Sequence, residues 1–396
     1  MILRNNESCG SLFLLRMPGQ GVGGDMKVAR PVVVDRSQSR SRSIRGTVSS
    51  SSVLAHLRRY SLLRPVRSLR RRDGSFDCLG DSSPLEMKPL VVVGSANADF
   101  VLQVDRLPAP GETVSASELD LFPGGKGANQ AAAASRLGHE THFIGQCGKD
   151  ANGDFLRKAL EESGVRLVGG LKTVEGCGTG SAYIFLQPSG ENSIVILGGA
   201  NQKGWSLGGD EESVIAGAGA VLLQREIPEA VNAEVAAMAA RHGVPVILDA
   251  GGVDAPLGSD VLRNLAVLSP NETELSRLTG MPTSTEQETL DAARRLLSLG
   301  VGRVLIKLGA RGSAMVSAVE GGDPEVVRQD AVKVDQVVDT TGAGDCFTAA
   351  FAVGFVRGWG TERSMRWASK AASLCIQKMG AMVSLPRAQD MPAEED

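Results

Sequence analysis

Hydrophobic and polar positions follow no sustained helical or strand period up to about residue 86, and become regular from Pro89 onward. Leu90-Val91-Val92-Val93 is a β-branched run ending at Gly94, as expected of a buried strand. Extended segments are predicted at 100–104 and 112–122, followed by an Ala-rich helix at about 127–137 closed by Gly138. Two more extended stretches, 180–186 and 193–197, flank the turn Pro188-Ser189-Gly190. Beyond residue 220 strands and helices alternate. Strands are predicted at Val221-Leu222-Leu223, Val246-Ile247-Leu248, Val267-Leu268 and Val304-Leu305-Ile306, with helices near 229–242, 272–279 and 286–299 between them. Apolar strands joined through helices need cover on both faces. The expected fold is therefore α/β, a doubly wound and mostly parallel sheet with ligands beyond the carboxyl ends of its strands. A leader over 1–86 and one domain over 87–390 complete the predicted organisation.

Charge sharpens that division. Residues 1–86 hold 14 Arg and one Lys against seven acids, whereas the remainder holds 27 basic and 38 acidic residues. A leader rich in Arg and Ser, as at 37–45, 49–52 and 58–72, reads as an organelle transit peptide. A basic tail or a start codon placed upstream of the true one fits the same composition. Plastid stroma is the expected destination, with the mitochondrion as the alternative because the Arg-rich stretch 54–72 suits both.

The acidic body has no basic stripe and few aromatic residues, which argues against a nucleic-acid partner. It also lacks an apolar run of 18 residues, so no membrane-spanning helix is predicted. Six isolated cysteines without a Cys-x-x-Cys pair, and only four histidines, argue against zinc and against a disulfide framework.

Four constellations carry candidate chemistry. In Val337-Val338-Asp339-Thr340-Thr341-Gly342-Ala343-Gly344-Asp345-Cys346-Phe347 an extended segment passes through two glycines into an apolar helix. The glycines admit a close ligand, and the N–H groups of the first helical turn suit a phosphoryl group. A carboxylate at that turn, Asp345, can accept a proton from an incoming hydroxyl. A stabilising Asp at an ordinary helix start is the competing reading. No Lys follows the glycines, so this is not a Walker A loop, and Phe347 stands where a dinucleotide fingerprint wants glycine.

Phe122-Pro123-Gly124-Gly125-Lys126-Gly127-Ala128-Asn129-Gln130 is a second glycine-rich helix start, with Lys126 and Asn129 at its mouth. In Gly94-Ser95-Ala96-Asn97-Ala98-Asp99, Asn97 and Asp99 alternate, so an extended backbone turns both to one side, suited to two sugar hydroxyls. Pro270-Asn271-Glu272-Thr273-Glu274 places Asn271 and Glu274 on one helix face, able to hold waters around Mg²⁺ or to form a capping box.

In this order and spacing, the four elements resemble the ribokinase-like (phosphofructokinase-B) carbohydrate kinases over about 90–386. Gly-Ser-x-Asn-x-Asp, Gly-Gly-Lys-Gly-Ala-Asn-Gln and Asn-Glu-Thr-Glu look most like the members of that family that phosphorylate ribose. The resemblance implies transfer of the ATP γ-phosphoryl group to O5 of D-ribose; deoxyribose, another sugar or a nucleoside remain alternative acceptors within the family. A non-catalytic scaffold would be expected to have lost Asp345 or the glycine turn. Both are intact.

Residue by residue, the resemblance implies that Asn97, Asp99, Gly125, Lys126 and Asn129 bind ribose hydroxyls and that Glu226 completes the pocket. Asp345 would be the general base, and the N–H groups of Gly342, Ala343 and Gly344 the anion hole. Asn271 and Glu274 would order Mg²⁺ through water, while Asp249, Lys307, Gly309, Gly312 and Gly344 would line the nucleotide site. Asp249 departs from the Asn that many relatives carry. K⁺ as activator would lie at Asp339, Thr341, Cys375, Lys378, Gly380 and Ser384, mostly on backbone carbonyls, which tolerate Met382-Val383 in place of Gln-Pro. A small sheet at roughly 97–122 and 180–197 would lid the sugar site and pair two copies into a homodimer.

Overall fold

The computed structural model describes residues 87–319 and 321–392; the basic leader, with the targeting expectation attached to it, lies outside the described residues. Fifteen strands occur among the described residues. They are β1 (Leu90–Val93), β2 (Asn97–Gln103), β3 (Glu118–Gly124), β4 (Thr141–Ile144) and β5 (Gln146–Gly148), then β6 (Arg166–Leu167), β7 (Lys172–Val174) and β8 (Gly180–Leu186). These are followed by β9 (Asn192–Leu197), β10 (Ala220–Arg225), β11 (Val246–Gly252), β12 (Val267–Ser269), β13 (Arg303–Lys307), β14 (Ser313–Ser317) and β15 (Glu325–Gln329).

Nine of them form one sheet in the order β15-β14-β13-β12-β11-β10-β1-β4-β6. All neighbours from β13 to β6 are parallel. The period-2 geometry of each apolar strand splits its side chains between two cores. Leu90, Val92, Leu222, Ile247, Val267 and Leu305 pack toward the helices Lys126–Arg136, Ala343–Val356 and Thr361–Cys375. Val91, Val93, Val221, Leu223, Leu248 and Ile306 pack toward Glu229–Arg241 and Glu286–Ser298 on the other face. Truncating one of these leucines to alanine costs about 2–5 kcal/mol.

Winding reverses at β1. The chain moves from β1 to β4 on one side and later places β10 on the other, which opens a crevice over the carboxyl ends of β1 and β10. Antiparallel β14 and β15 extend the far edge of the sheet as a hairpin, a feature not expected from the alternation of strands and helices.

The second sheet has the order β3-β2-β8-β9. Its strand β3 begins at Glu118 rather than near 112, and the reason is local. Pro108 and Pro110 cannot donate to a ladder, Gly111 turns the chain at φ 82°, and Arg106 pairs with Glu112 across the turn. Strand β2 begins earlier than expected because Asn97 already pairs with Gly124 on one side and Gly180 on the other. No helix among the described residues is long and apolar enough to cross a membrane.

Candidate active site

Helix Ala343–Val356 starts behind Gly342, whose φ of 77° is left-handed and whose added Cβ would lie 3.0 Å from Ala381. Its first turn carries Asp345, only 5% exposed. Asn129 Nδ2 donates to Asp345 Oδ2 at 3.0 Å, Gln130 Nε2 to Oδ1 at 3.2 Å, and Lys126 Nζ stands 3.9 Å from Oδ1. Burial lifts the carboxyl above its usual range, and the charges of Asp249 and Glu226 lift it further against Lys126 and the Asn129 bond. Asp345 in turn holds the Lys126 ammonium firmly charged, overcoming the burial of that lysine with help from Asp249, Glu226 and Glu274. Of the N–H groups in the glycine turn, that of Ala343 donates to Thr340 O at 3.2 Å. Those of Gly342 and Gly344 meet no protein acceptor among the described residues and are free for an anion.

The sugar-side candidates converge beside this carboxylate. Asp99 lies over Gly124, where an added Cβ would come within 1.9 Å of Asp99 Oδ2. Gly125, at φ 86°, approaches the Asn97 backbone N so closely that a Cβ would sit at 2.7 Å. Burial raises the Asp99 carboxyl from 3.8 to about 7, with Glu226 and Asp345 adding to the rise. Glu226, just past β10, accepts from Ser95 Oγ at 2.6 Å and from the Lys126 backbone N–H at 3.0 Å, tying the ends of β1 and β10 to the helix start.

Asn201 is a residue that no sequence motif flagged. It is buried in the turn after β9 and exchanges bonds with Ala96 through Ala96 N→Oδ1 at 3.0 Å and Nδ2→Ala96 O at 3.1 Å. The same Nδ2 donates to Asn97 Oδ1 at 2.7 Å. With its carbonyl oxygen so engaged, Asn97 is left its NH₂ group to offer a ligand. Gly180 supplies the room, since a Cβ there would strike Asn201 Nδ2 at 2.0 Å.

On the nucleotide side, Lys307 Nζ and Thr348 Oγ1 each donate to Asp249 Oδ2 at 2.7 Å, and Gly251 N donates to Oδ1 at 2.9 Å. Burial pushes Asp249 up, but Lys307, Lys126 and these hydrogen bonds outweigh it and hold the group ionised. Asp249 is thus a structural anion under the Lys307 loop, and the departure from Asn is matched by a paired lysine. Gly309, at φ 57°, faces open space, whereas Gly312 abuts Gln329 O, which a Cβ would approach to 2.0 Å. Gly309 is therefore open to a ligand, and Gly312 serves the hairpin. Asn271 and Glu274 form a capping box, Asn271 N→Glu274 Oε2 and Glu274 N→Asn271 Oδ1 both at 2.8 Å. Glu274 Oε1 and Asn271 Nδ2 are not spent on the cap.

The six positions of the implied K⁺ set come from two loops that the fold brings together. Asp339 accepts from Thr341 N and Gly380 N, each at 2.8 Å, and Cys375 Sγ lies 3.0 Å from Ser384 Oγ. Lys378 is exposed. One oxygen of Asp339 closes its own turn onto Thr341 and the other joins the two segments through Gly380, so a cation there would rely on backbone carbonyls.

Known proteins share the sequence pattern and the fold of this chain. The pattern of the pfkB family carbohydrate kinases matches residues 87–388. A ribokinase from Arabidopsis thaliana is 47% identical over 328 residues, which cover 81% of this chain and 86% of the relative. A solved structure of Arabidopsis thaliana ribokinase, complexed with ribose and ATP, superposes with a TM-score of 0.72 at 48% identity, covering 76% of this chain and 96% of that one. A Thermotoga maritima ribokinase structure superposes with a TM-score of 0.67 at 34% identity, covering 76% and 97%. A buried carboxylate at a glycine-turn helix start and a lysine–asparagine pair beside it thus lie on a fold and sequence shared with these proteins over most of their length: the chain belongs to the pfkB family of carbohydrate kinases.

Proposed function

We propose that the chain transfers the γ-phosphoryl group of ATP to O5 of D-ribose. The observation that carries this reading is Asp345, held between Asn129 and Gln130 in the first turn of a helix whose Gly344 N–H is free. The ribose- and ATP-bound relative with the same fold supports the choice of sugar and nucleotide. A ribose hydroxyl set between Asn97, Asp99 and Lys126 presents O5 to Asp345. The O5 proton passes to the carboxylate as the O5–Pγ bond forms, the bond from Pγ to the β,γ-bridging oxygen breaks and ADP leaves. Charge on the equatorial oxygens faces the helix N-terminus. A carboxyl lifted by burial is a better proton acceptor than an ordinary carboxylate.

Mg²⁺ supplies charge neutralisation on the phosphates when bound. Asn271 and Glu274 would hold that ion through water, since the cap leaves Glu274 Oε1 over and Mg²⁺ takes most of its ligands from water and phosphate. K⁺ activation is proposed at the segments 339–341 and 375–384, which the bond from Gly380 N–H to Asp339 holds together. ADP formation across a sugar panel, with and without K⁺, tests both. Ribose should rank first and K⁺ should raise turnover; ribose ranking below fructose or adenosine overturns the substrate, and turnover indifferent to K⁺ overturns the activator.

We also propose a homodimer through the small sheet. Ile194, Val195, Ile196 and Leu197 of β9 are all exposed, Ile196 at 61%, so neither face of that strand is covered by its own chain, and Leu119 of β3 is 62% exposed. Sedimentation should give twice the chain mass, falling to the monomer in Ile196→Lys. Plastid import of the basic leader is proposed as well, and a fluorescent fusion of residues 1–90 that stays cytosolic overturns it.

A further inference from the structure

From Asp345 runs a line of buried amides to which no motif assigned a role. Gln130 is 0% exposed, Gln224 of β10 is 1% and Asn232 of the helix Glu229–Arg241 is 0%. Asn232 Nδ2 donates to the Gln224 backbone O at 2.8 Å, Gln224 Nε2 to Gln130 Oε1 at 2.7 Å, and Gln130 Nε2 to Asp345 Oδ1 at 3.2 Å. We infer that Gln130, oriented by Gln224, is a positioning residue that aims the Asp345 carboxylate at the acceptor hydroxyl and stabilises its ionised form. The inference rests on the reading of Asp345 as the base.

Direction is imposed along the line. A carboxylate only accepts, so Gln130 must turn its NH₂ toward Asp345 and its oxygen away. That oxygen then requires the NH₂ of Gln224, and the Gln224 oxygen is left pointing at Gly94. Gly94 has no Cβ to obstruct it; one added there would lie 2.1 Å from Gln224 Oε1. A flipped Gln130 would set oxygen against carboxylate and NH₂ against NH₂, two repulsive contacts in a dry interior. The three amides are too deeply buried to meet substrate, so their influence passes through Asp345.

Other groups also act on Asp345. Lys126 and Asn129 face it from the helix Lys126–Arg136, Asp249 from β11, Glu226 from beyond β10, Asp99 from β2, and Cys346 and Cys375 from the two helices beneath. Gln130 and Gln224, like Asn129, carry no charge, in contrast to the lysine and carboxylates of this set. Replacing either leaves every charge in place, so a displaced pH profile reports the lost hydrogen bond.

The test is the pH dependence of kcat, measured as ADP formation with saturating ribose and MgATP, for Gln130→Met, Gln224→Met and the double variant. Methionine keeps the length and removes the donor. Loss of a hydrogen bond to the ionised form raises a carboxyl pKa. The acid limb of kcat should therefore move up by about one pH unit in Gln130→Met, and less in Gln224→Met. KM for ribose should stay within about twofold, because the lost interaction serves the reacting carboxylate rather than ground-state binding. The double variant should match Gln130→Met, since the two residues act in series. Thermal melts first confirm folding. If Gln130→Met does not fold, Gln224→Met carries the same test, because it touches Asp345 only through Gln130. A folded variant with an unmoved acid limb, or one changed only in KM, overturns the inference while an inactive Asp345→Asn leaves the base intact. Near-normal turnover in Asp345→Asn overturns the underlying reading instead.

Discussion

Replacing Asp99 by Asn tests the electrostatics of the sugar pocket against stability and binding at once. The carboxyl rises from 3.8 to about 7, chiefly through burial and further through Glu226 and Asp345. A folded-state pKa above the unfolded one means that folding favours the protonated form. That stabilisation is complete below pH 3.8 and is lost as pH rises toward about 7. With about 1.4 kcal/mol per unit, and some discount for water entering the pocket, the ionised group costs the folded chain about 2–4 kcal/mol above neutrality. Asparagine keeps the shape of the protonated acid at every pH. Asp99→Asn should therefore match the parent in stability near pH 4, gain on it between pH 4 and 7, and hold a constant advantage above. Urea midpoints at pH 5, 7 and 8.5 measure this difference directly. Binding should move the opposite way, because an anion accepting two ribose hydroxyls is replaced by a neutral amide. Hydrogen bonds to a charged group are worth about 1.5–3 kcal/mol, which corresponds to a rise in KM for ribose of about 10–100-fold. A variant less stable than the parent at pH 8.5, or an advantage that does not grow with pH, refutes the assigned burial of charge.

Three further substitutions separate the roles of the surrounding residues. Asp345→Asn should lower kcat about 10²–10⁴-fold while leaving the melting temperature equal or higher, since burial already disfavours the charge it removes; turnover assays paired with melts decide it. Asn201→Leu strands the Ala96 amide and carbonyl and frees the Asn97 side chain, at about 1–3 kcal/mol for each unsatisfied group, so KM for ribose should rise about tenfold or more with a smaller change in kcat. An unchanged KM removes Asn201 from substrate recognition. Lys307→Met leaves Asp249 buried without its cation and should cost about 3–5 kcal/mol of stability. Adding Asp249→Asn should recover most of that loss in a urea titration, and failure to recover it rejects the pairing as the cause.

Much of this architecture was legible in the chain. Apolar runs such as Leu90-Val91-Val92-Val93 and Val304-Leu305-Ile306 are buried on both faces, so hydrophobicity alone marks them as strands of a covered sheet. Helix starts at Lys126 and Ala343 were marked by glycines that only a close approach explains. The β14–β15 hairpin was less visible because it lies at the sheet edge, where Glu325 and Arg328 break the apolar pattern. Asn271 and Glu274 illustrate a limit of another kind: the spacing that suits a water-held metal is also that of a capping box, and the structure uses it as one.

Local sequence determined the elements, the glycine turns and the division between a basic leader and an acidic body, because each follows from the chemistry of neighbouring residues. Family membership was also legible, since it rests on motifs in order. Tertiary structure alone decided which distant side chains share a dielectric. Asp99, Asp249 and Asp345 come from three separate elements, and their raised or lowered acidities follow from mutual distance and burial. Asn201 and Gln224 acquire roles for the same reason. A hydrogen bond across about a hundred residues leaves no local trace in either partner, as in Asn201 to Asn97 and Gln224 to Gln130.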